Sequence, residues 1–445
     1  MRILIKNATI VNERLSFKGS LLIVDDIIKA IFRDSILPKD IKADEVIDAS
    51  DSILIPGVID EHVHFREPGM THKADIHSET IAAAAGGVTS FMDMPNNIPA
   101  ATTINILENK YETAKEKSLI NYSFYLGATN ENINEIEKID AKSICGVKIF
   151  MGSSTGNMLV DNKRNIEKIF EKSPVLIAVH CENEDIIKKN LAHYKNKFGD
   201  NIPFQYHNKI RSEESCYVST NHAIELAEKY NSQLHILHIS TAKETELLAA
   251  CKTNKRITSE TCPHYLWFSE NDYAAMQGKI KCNPSIKTQA DRDALQNAVS
   301  RGIINVVATD HAPHLYSEKQ NNYLNCPSGL PSVQHSLNVM LELVEKNIFT
   351  IETVVECMCH NPARIFSIKK RGFIREGYKA DIVLINPNKK QEVNKTNILY
   401  KCGWTPFENT TFNAKITHTF VNGKLVYCNG KINETVKGER LIFER

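Results

Sequence analysis

The sequence predicts a parallel (β/α)8 barrel of the TIM type that carries a small β-sandwich domain built from both chain ends. Three observations carry that prediction. Eight short apolar runs alternate with amphipathic stretches through the middle of the chain. Both ends are rich in strand-forming segments, and polar residues recur where the middle runs stop.

At the N-terminus, residues 2–11 and 21–32 are apolar, and Asp25-Asp26 interrupts the second run as a hairpin turn. The barrel runs follow at 53–59, 88–92, 123–126, 147–150, 175–179, 233–239, 256–261 and 305–309. Between them, 74–85 is an amphipathic helix closed by Gly86-Gly87, and 219–230 is another. Toward the C-terminus, 380–385 and 417–427 read as strands, with Asn422-Gly423 as a two-residue hairpin turn. The expected division places 1–55 and 365–445 in the sandwich and 56–364 in the barrel. A chain of 445 residues has room for one large core and a smaller one.

Composition narrows the function. Lys+Arg 54 against Asp+Glu 53 leaves a formal charge of +1, so no footprint exists for nucleic acid or an anionic membrane. The expected partner is a small molecule. No apolar run reaches the length of a membrane span, and Met1-Arg2-Ile3-Leu4-Ile5-Lys6 lacks the apolar core of a signal peptide. Eleven cysteines, an odd number at irregular spacing with no Cys-x-x-Cys, read as reduced thiols of a cytoplasmic protein.

Chemistry concentrates at the strand ends. His62-Val63-His64 closes the first run, and alternation along a strand puts both imidazoles on one side, with Arg66 continuing the parity toward an anion. Asn96 follows the second run, Lys148 lies inside the fourth, His180 ends the fifth, His238 the sixth, and Asp310 and His314 the eighth. Four histidines, an aspartate and a lysine exceed the three ligands of one catalytic zinc and suit two metal ions. Histidine and oxygen donors favour zinc. An unpaired ammonium in an apolar strand is costly, so Lys148 either pairs with a carboxylate or adds carbon dioxide to become a bridging carbamate.

That order of ligands resembles the amidohydrolase superfamily, its binuclear subgroup, over nearly the whole chain. Within it, the stretch from His62 through Arg66-Glu67-Pro68-Gly69 to Lys73-Ala74-Asp75 resembles the dihydroorotase signature, as do Met94-Pro95-Asn96-Asn97 and Thr309-Asp310-His311-Ala312-Pro313-His314. The resemblance implies that His62, His64 and Asp310 hold one metal, His180 and His238 the other, and carboxylated Lys148 bridges them. It also implies that Asp310 moves the catalytic proton and that Arg66, Asn96 and His314 grip a substrate carboxylate. Asn283 and the backbone of Ser328-Gly329-Leu330-Pro331 are then expected against the ring. The implied reaction is the reversible closure of N-carbamoyl-L-aspartate to L-dihydroorotate in pyrimidine synthesis, by a homo-oligomer such as a dimer.

One departure bears on the substrate. The aspartate-bearing loop of many class I relatives is replaced by Gly152-Ser153-Ser154-Thr155-Gly156, with no acid. Lys148-Ile149-Phe150-Met151 instead resembles the bridge of hydantoinases and allantoinases, with Asp161 as a fallback ligand. Hydantoinase, dihydropyrimidinase and allantoinase are therefore alternative readings, and a non-catalytic scaffold is the alternative from another class. Segment 315–326, rich in Ser, Gln and Asn, is either a lid or an ordered surface loop.

Overall fold

The computed structural model describes residues 1–151 and 158–445. The Gly152-to-Gly156 stretch therefore lies outside the described residues.

Eight parallel strands form a TIM-type barrel: β1 (Val58–Val63), β2 (Val88–Asp93), β3 (Asn121–Phe124, resuming at Leu126–Gly127), β4 (Val147–Phe150), β5 (Ile177–His180), β6 (Leu234–Ile236), β7 (Ile257–Thr261) and β8 (Val306–Val307). Helices between them bury their inner faces on the strands. The helix Ile76–Ala85 starts at Asp75, whose carboxylate accepts the Ser78 amide at 2.8 Å, and ends at Gly86. The barrel closes where Val63 bridges His311, the His64 amide donating to the His311 carbonyl at 2.8 Å. β3 breaks at Tyr125, whose hydroxyl donates to the Glu61 carbonyl at 3.0 Å inside the barrel.

The first expected run, 53–59, is two strands rather than one. Ile53–Pro56 pairs antiparallel with Ile382–Asn386, and only after Gly57 does the chain enter β1. The switch is fixed by hydrogen bonds on either side: Gly57 N–H donates to Asp381 O at 2.8 Å, and Val58 N–H to Gly87 O at 3.1 Å. A Cβ on Gly57 would sit 2.1 Å from Thr89 Oγ1, so no side chain fits there.

Both chain ends feed one nine-stranded sheet, the additional β domain of the fold. Arg2–Asn12 runs parallel to Ile53–Pro56, and Ile382–Asn386 carries on to Lys415–Val421. Its core includes Ile5, Ile10, Leu21, Leu54, Ile382, Leu384 and Phe420. The two anticipated hairpins turn at Asp25 and at Asn422-Gly423, with φ of 55°, 50° and 73°. The last residues return to the barrel: Leu441 N–H donates to Tyr122 O at 2.9 Å, and Leu441 and Phe443 pack with Tyr125.

Sheet and barrel are joined by a buried polar knot. Arg371 donates to Asp381, to Asn422 Oδ1 at 2.7 Å and to Glu439 at 2.8 Å. Asp381 in turn accepts Asn121 Nδ2 of β3 at 3.2 Å. Removing the cation would strand a buried carboxylate. Arg371→Met is expected to cost about 3–5 kcal/mol in a urea titration; a loss near zero would show that the knot does not bind the two parts together.

Candidate active site

One cavity of about 800 Å³ opens at the C-terminal end of the barrel strands, a volume typical of small-molecule sites. Its wall holds His62, His64, Arg66, Asn96, Lys148, His180, His238, Asn283, Asp310, His314 and Gly329. Leu330 and Pro331 stand behind the wall, where the Leu330 carbonyl accepts the Ala312 amide at 3.0 Å. Asp161 lies elsewhere, exposed and hydrogen-bonded to Asn130 at 3.0 Å.

His62 and His64 face the cavity side of β1 and its end. Each presents Nε2 to Asp310 Oδ1, at 3.2 and 3.1 Å. Their other nitrogens are occupied: His62 Nδ1 lies 2.5 Å from Glu260 Oε1, and His64 Nδ1 lies 2.7 Å from Asn96 Oδ1. With Nδ1 keeping its proton for those acceptors, each Nε2 would offer a lone pair to a cation seated beside Asp310. The donor set fits a divalent metal.

A second group lies beside the first. His180 Nε2 is held by Glu182 at 3.0 Å, and Glu182 is braced by Arg211. His180 Nδ1 is 2.9 Å from His238 Nε2. Burial holds both imidazoles below the usual histidine range, with their lone pairs available to a metal. Lys148 is buried, its Nζ 4.6 Å from the Phe150 ring centre. Burial lowers its pKa to about 8, though the charges of Asp310 and Glu260 oppose the shift. At pH 7 roughly a tenth of the amine is then neutral, far more than for an ordinary lysine, and that is the form that adds carbon dioxide.

Backbone strain marks the same place. Arg66, His238 and Asp310 have φ of 65°, 42° and 46°, a region non-glycine residues rarely occupy. Asp60 helps to hold the last of these by accepting the Thr309 hydroxyl at 2.6 Å and its amide at 3.1 Å.

Segment 315–326 is anchored by buried side chains. Lys319 is buried within it and donates to three carbonyls, Lys281 at 3.0 Å, Pro327 at 2.7 Å and Gly329 at 2.7 Å. Three ammonium N–H donors meet three acceptors. Tyr323 is buried too, and its hydroxyl lies 2.8 Å from His207 Nδ1.

The amidohydrolase family model matches residues 53–426. The chain belongs to the amidohydrolase family. A dihydroorotase of Methanosphaera stadtmanae is 31% identical over 425 residues, covering 95% of this chain and 96% of that one. A dihydroorotase of Methanosarcina acetivorans is 32% identical over 403 residues, with coverage of 88% and 85%. Among solved structures, an L-hydantoinase (dihydropyrimidinase) from Arthrobacter aurescens superposes with a TM-score of 0.92 at 24% identity, covering 97% of each chain. This amidohydrolase is a cyclic amide hydrolase. Among the described residues, no helix is long and apolar enough to cross a membrane.

Sequence reasoning missed the residue that ties the two histidine groups of this amidohydrolase together. Glu260 Oε1 accepts from His62 Nδ1 and also from the His238 backbone N–H at 3.0 Å. The signal was available: Glu260 is a fully buried acid in the otherwise uncharged strand β7. Glu260→Gln is expected to weaken metal retention about 10–100-fold, read by competition with a chelator of known affinity. Unchanged retention would remove Glu260 from that role.

Proposed function

We propose that this amidohydrolase is a dihydroorotase, which interconverts N-carbamoyl-L-aspartate and L-dihydroorotate. The observation that carries the reading is Arg66. It is buried in the cavity wall two residues past the histidine pair, with Nε donating to Pro313 O at 3.1 Å and Nη2 beside His314. A guanidinium held this way suits a carboxylated ring and would be left unpaired by an uncharged one. The dihydroorotase relatives support the same choice. A second reading, hydantoinase or dihydropyrimidinase, is favoured by the likeness to the solved hydantoinase and by Lys148.

In this reading His62, His64 and Asp310 would hold one divalent ion, of zinc type by its donors, and His180 and His238 a second, with carboxylated Lys148 as a further ligand. Such ions supply Lewis acidity and a water that ionises near neutral pH. The chain's own groups do the rest. Arg66, His314 and Asn96 orient the ring by its carboxylate, while Asn283 and the Gly329 backbone face the ring itself. Water oxygen bonds to the ring carbonyl carbon, and the carbon–nitrogen bond breaks. The Asp310 carboxylate takes the water proton and delivers it to the departing nitrogen. Ring closure reverses these transfers.

Dihydroorotate, dihydrouracil, hydantoin and allantoin should be compared in one absorbance assay. The expected outcome is opening of dihydroorotate; turnover of an uncharged ring without dihydroorotate overturns the reading. Arg66→Ala is expected to lower kcat/KM for dihydroorotate by roughly 100-fold, the size of lost hydrogen bonds to a charged group. For the bridge, equilibration with 13C-bicarbonate should yield a carbamate carbon signal that Lys148→Met abolishes.

A further inference from the structure

His314 has more neighbours than its two nitrogens can serve at once. Nδ1 lies 3.1 Å from Lys73 Nζ, and Nε2 lies 3.1 Å from the Ser328 carbonyl and 3.2 Å from Arg66 Nη2. Ammonium and guanidinium groups only donate, and a carbonyl only accepts. A neutral imidazole has one N–H and one lone pair. An imidazolium is disfavoured, because burial and then Arg66, Lys319 and Lys73 hold this group well below the ordinary histidine range.

Only one neutral form satisfies the strongest neighbours. With the proton on Nε2, that N–H donates to Ser328 O, and the Nδ1 lone pair accepts from Lys73. The opposite form sets an N–H against the ammonium and a lone pair against the carbonyl. Glu318 Oε2 cannot rescue it, since at 3.8 Å from Nδ1 it is beyond hydrogen-bond reach. Glu318 instead holds Lys73 in place through a 2.8 Å ion pair, and its other oxygen accepts the Leu315 amide at 2.9 Å. Trp404 fixes the backbone of His314 from behind, its indole N–H donating to His314 O at 2.8 Å.

We infer that Lys73, anchored by Glu318, is a positioning residue that locks His314 in the Nε2–H form and thereby leaves Arg66 as the receptor for an anionic oxygen. With Nε2–H turned to Ser328 O, His314 offers no lone pair to Arg66 Nη2 3.2 Å away. The Arg66 hydrogens are then left for a carboxylate oxygen. In the other tautomer it would meet a lone pair, and Arg66 would spend a donor on His314. Lys73 also lies in the cavity wall, so its charge adds to the attraction for an anion.

The consequence for substrate choice rests on the dihydroorotase reading, but the tautomer does not. It is read without substrate, by nitrogen NMR of the metal-loaded protein carrying 15N-histidine, with His314 assigned by comparison with His314→Gln. Wild type is expected to show a protonated Nε2 and a bare Nδ1. Lys73→Met should lose that pattern and Lys73→Arg, which keeps a donor, should retain it. In Lys73→Met, KM for dihydroorotate should rise roughly tenfold while kcat changes far less, matching one lost charge-assisted contact. A protonated Nδ1 in wild type overturns the proposal, and this measurement needs no variant to fold. An unchanged tautomer in Lys73→Met overturns it as well, even if KM rises. If wild type fails to open dihydroorotate, the substrate assignment falls while the tautomer result stands on its own.

Discussion

Groups of one hydrogen-bonding polarity cannot face each other inside a dry cavity unless something of the opposite polarity comes between them. This constraint organises the whole site, twice and with opposite sign. On the floor, Nε2 of His62 and of His64 lie within 3.2 Å of an Asp310 oxygen, a set that suits cations. On the wall, the Arg66 guanidinium beside His314 suits an anion. The supporting residues act by fixing which nitrogen carries the proton: Glu260, Asn96 and Glu182 for the metal-facing histidines, Lys73 for His314. In the dihydroorotase reading, a substrate with a carboxylate at one end and an amide carbonyl at the other would span the two halves.

The fold and the cavity-lining residues were legible in the sequence because both depend on short-range regularities. Buried parallel strands read as apolar runs, and a barrel places its chemistry where those runs end. Lys148 stood out for the same reason, as a charge inside an apolar run. What was not legible depends on three-dimensional contact. Residues 53–59 carry one unbroken apolar signal, yet the strand is divided at Gly57 because its two ends pair with different sheets. The 315–326 segment reads as polar loop, and only the three-carbonyl seat of Lys319 shows why it is ordered. Glu260 and Lys73 escaped notice because their partners are distant in sequence, 198 positions away at His62 and 241 at His314.

The similarity to hydantoinase structures and to dihydroorotase sequences is what this division of labour produces. Barrel, histidines and lysine are the parts needed to open any cyclic amide, and they set the backbone that structural superposition measures. In the dihydroorotase reading, choice of ring would reside in a few side chains on the wall, Arg66 first among them.

The strand switch at Gly57 also sets a timetable. Ile53 leads directly into the metal-bearing strand, yet its partner Ile385 lies about 330 residues later in the chain. At about 5–20 residues per second on a ribosome, that partner emerges about 15–65 s after the strand it must cover. For that interval the Ile53–Pro56 edge is an open, apolar row of unpaired amides and carbonyls, the kind of surface that seeds misassembly. The strand that leads into the histidine-bearing one is thus made early and covered late, and the nascent chain is exposed directly beside the element that carries His62 and His64.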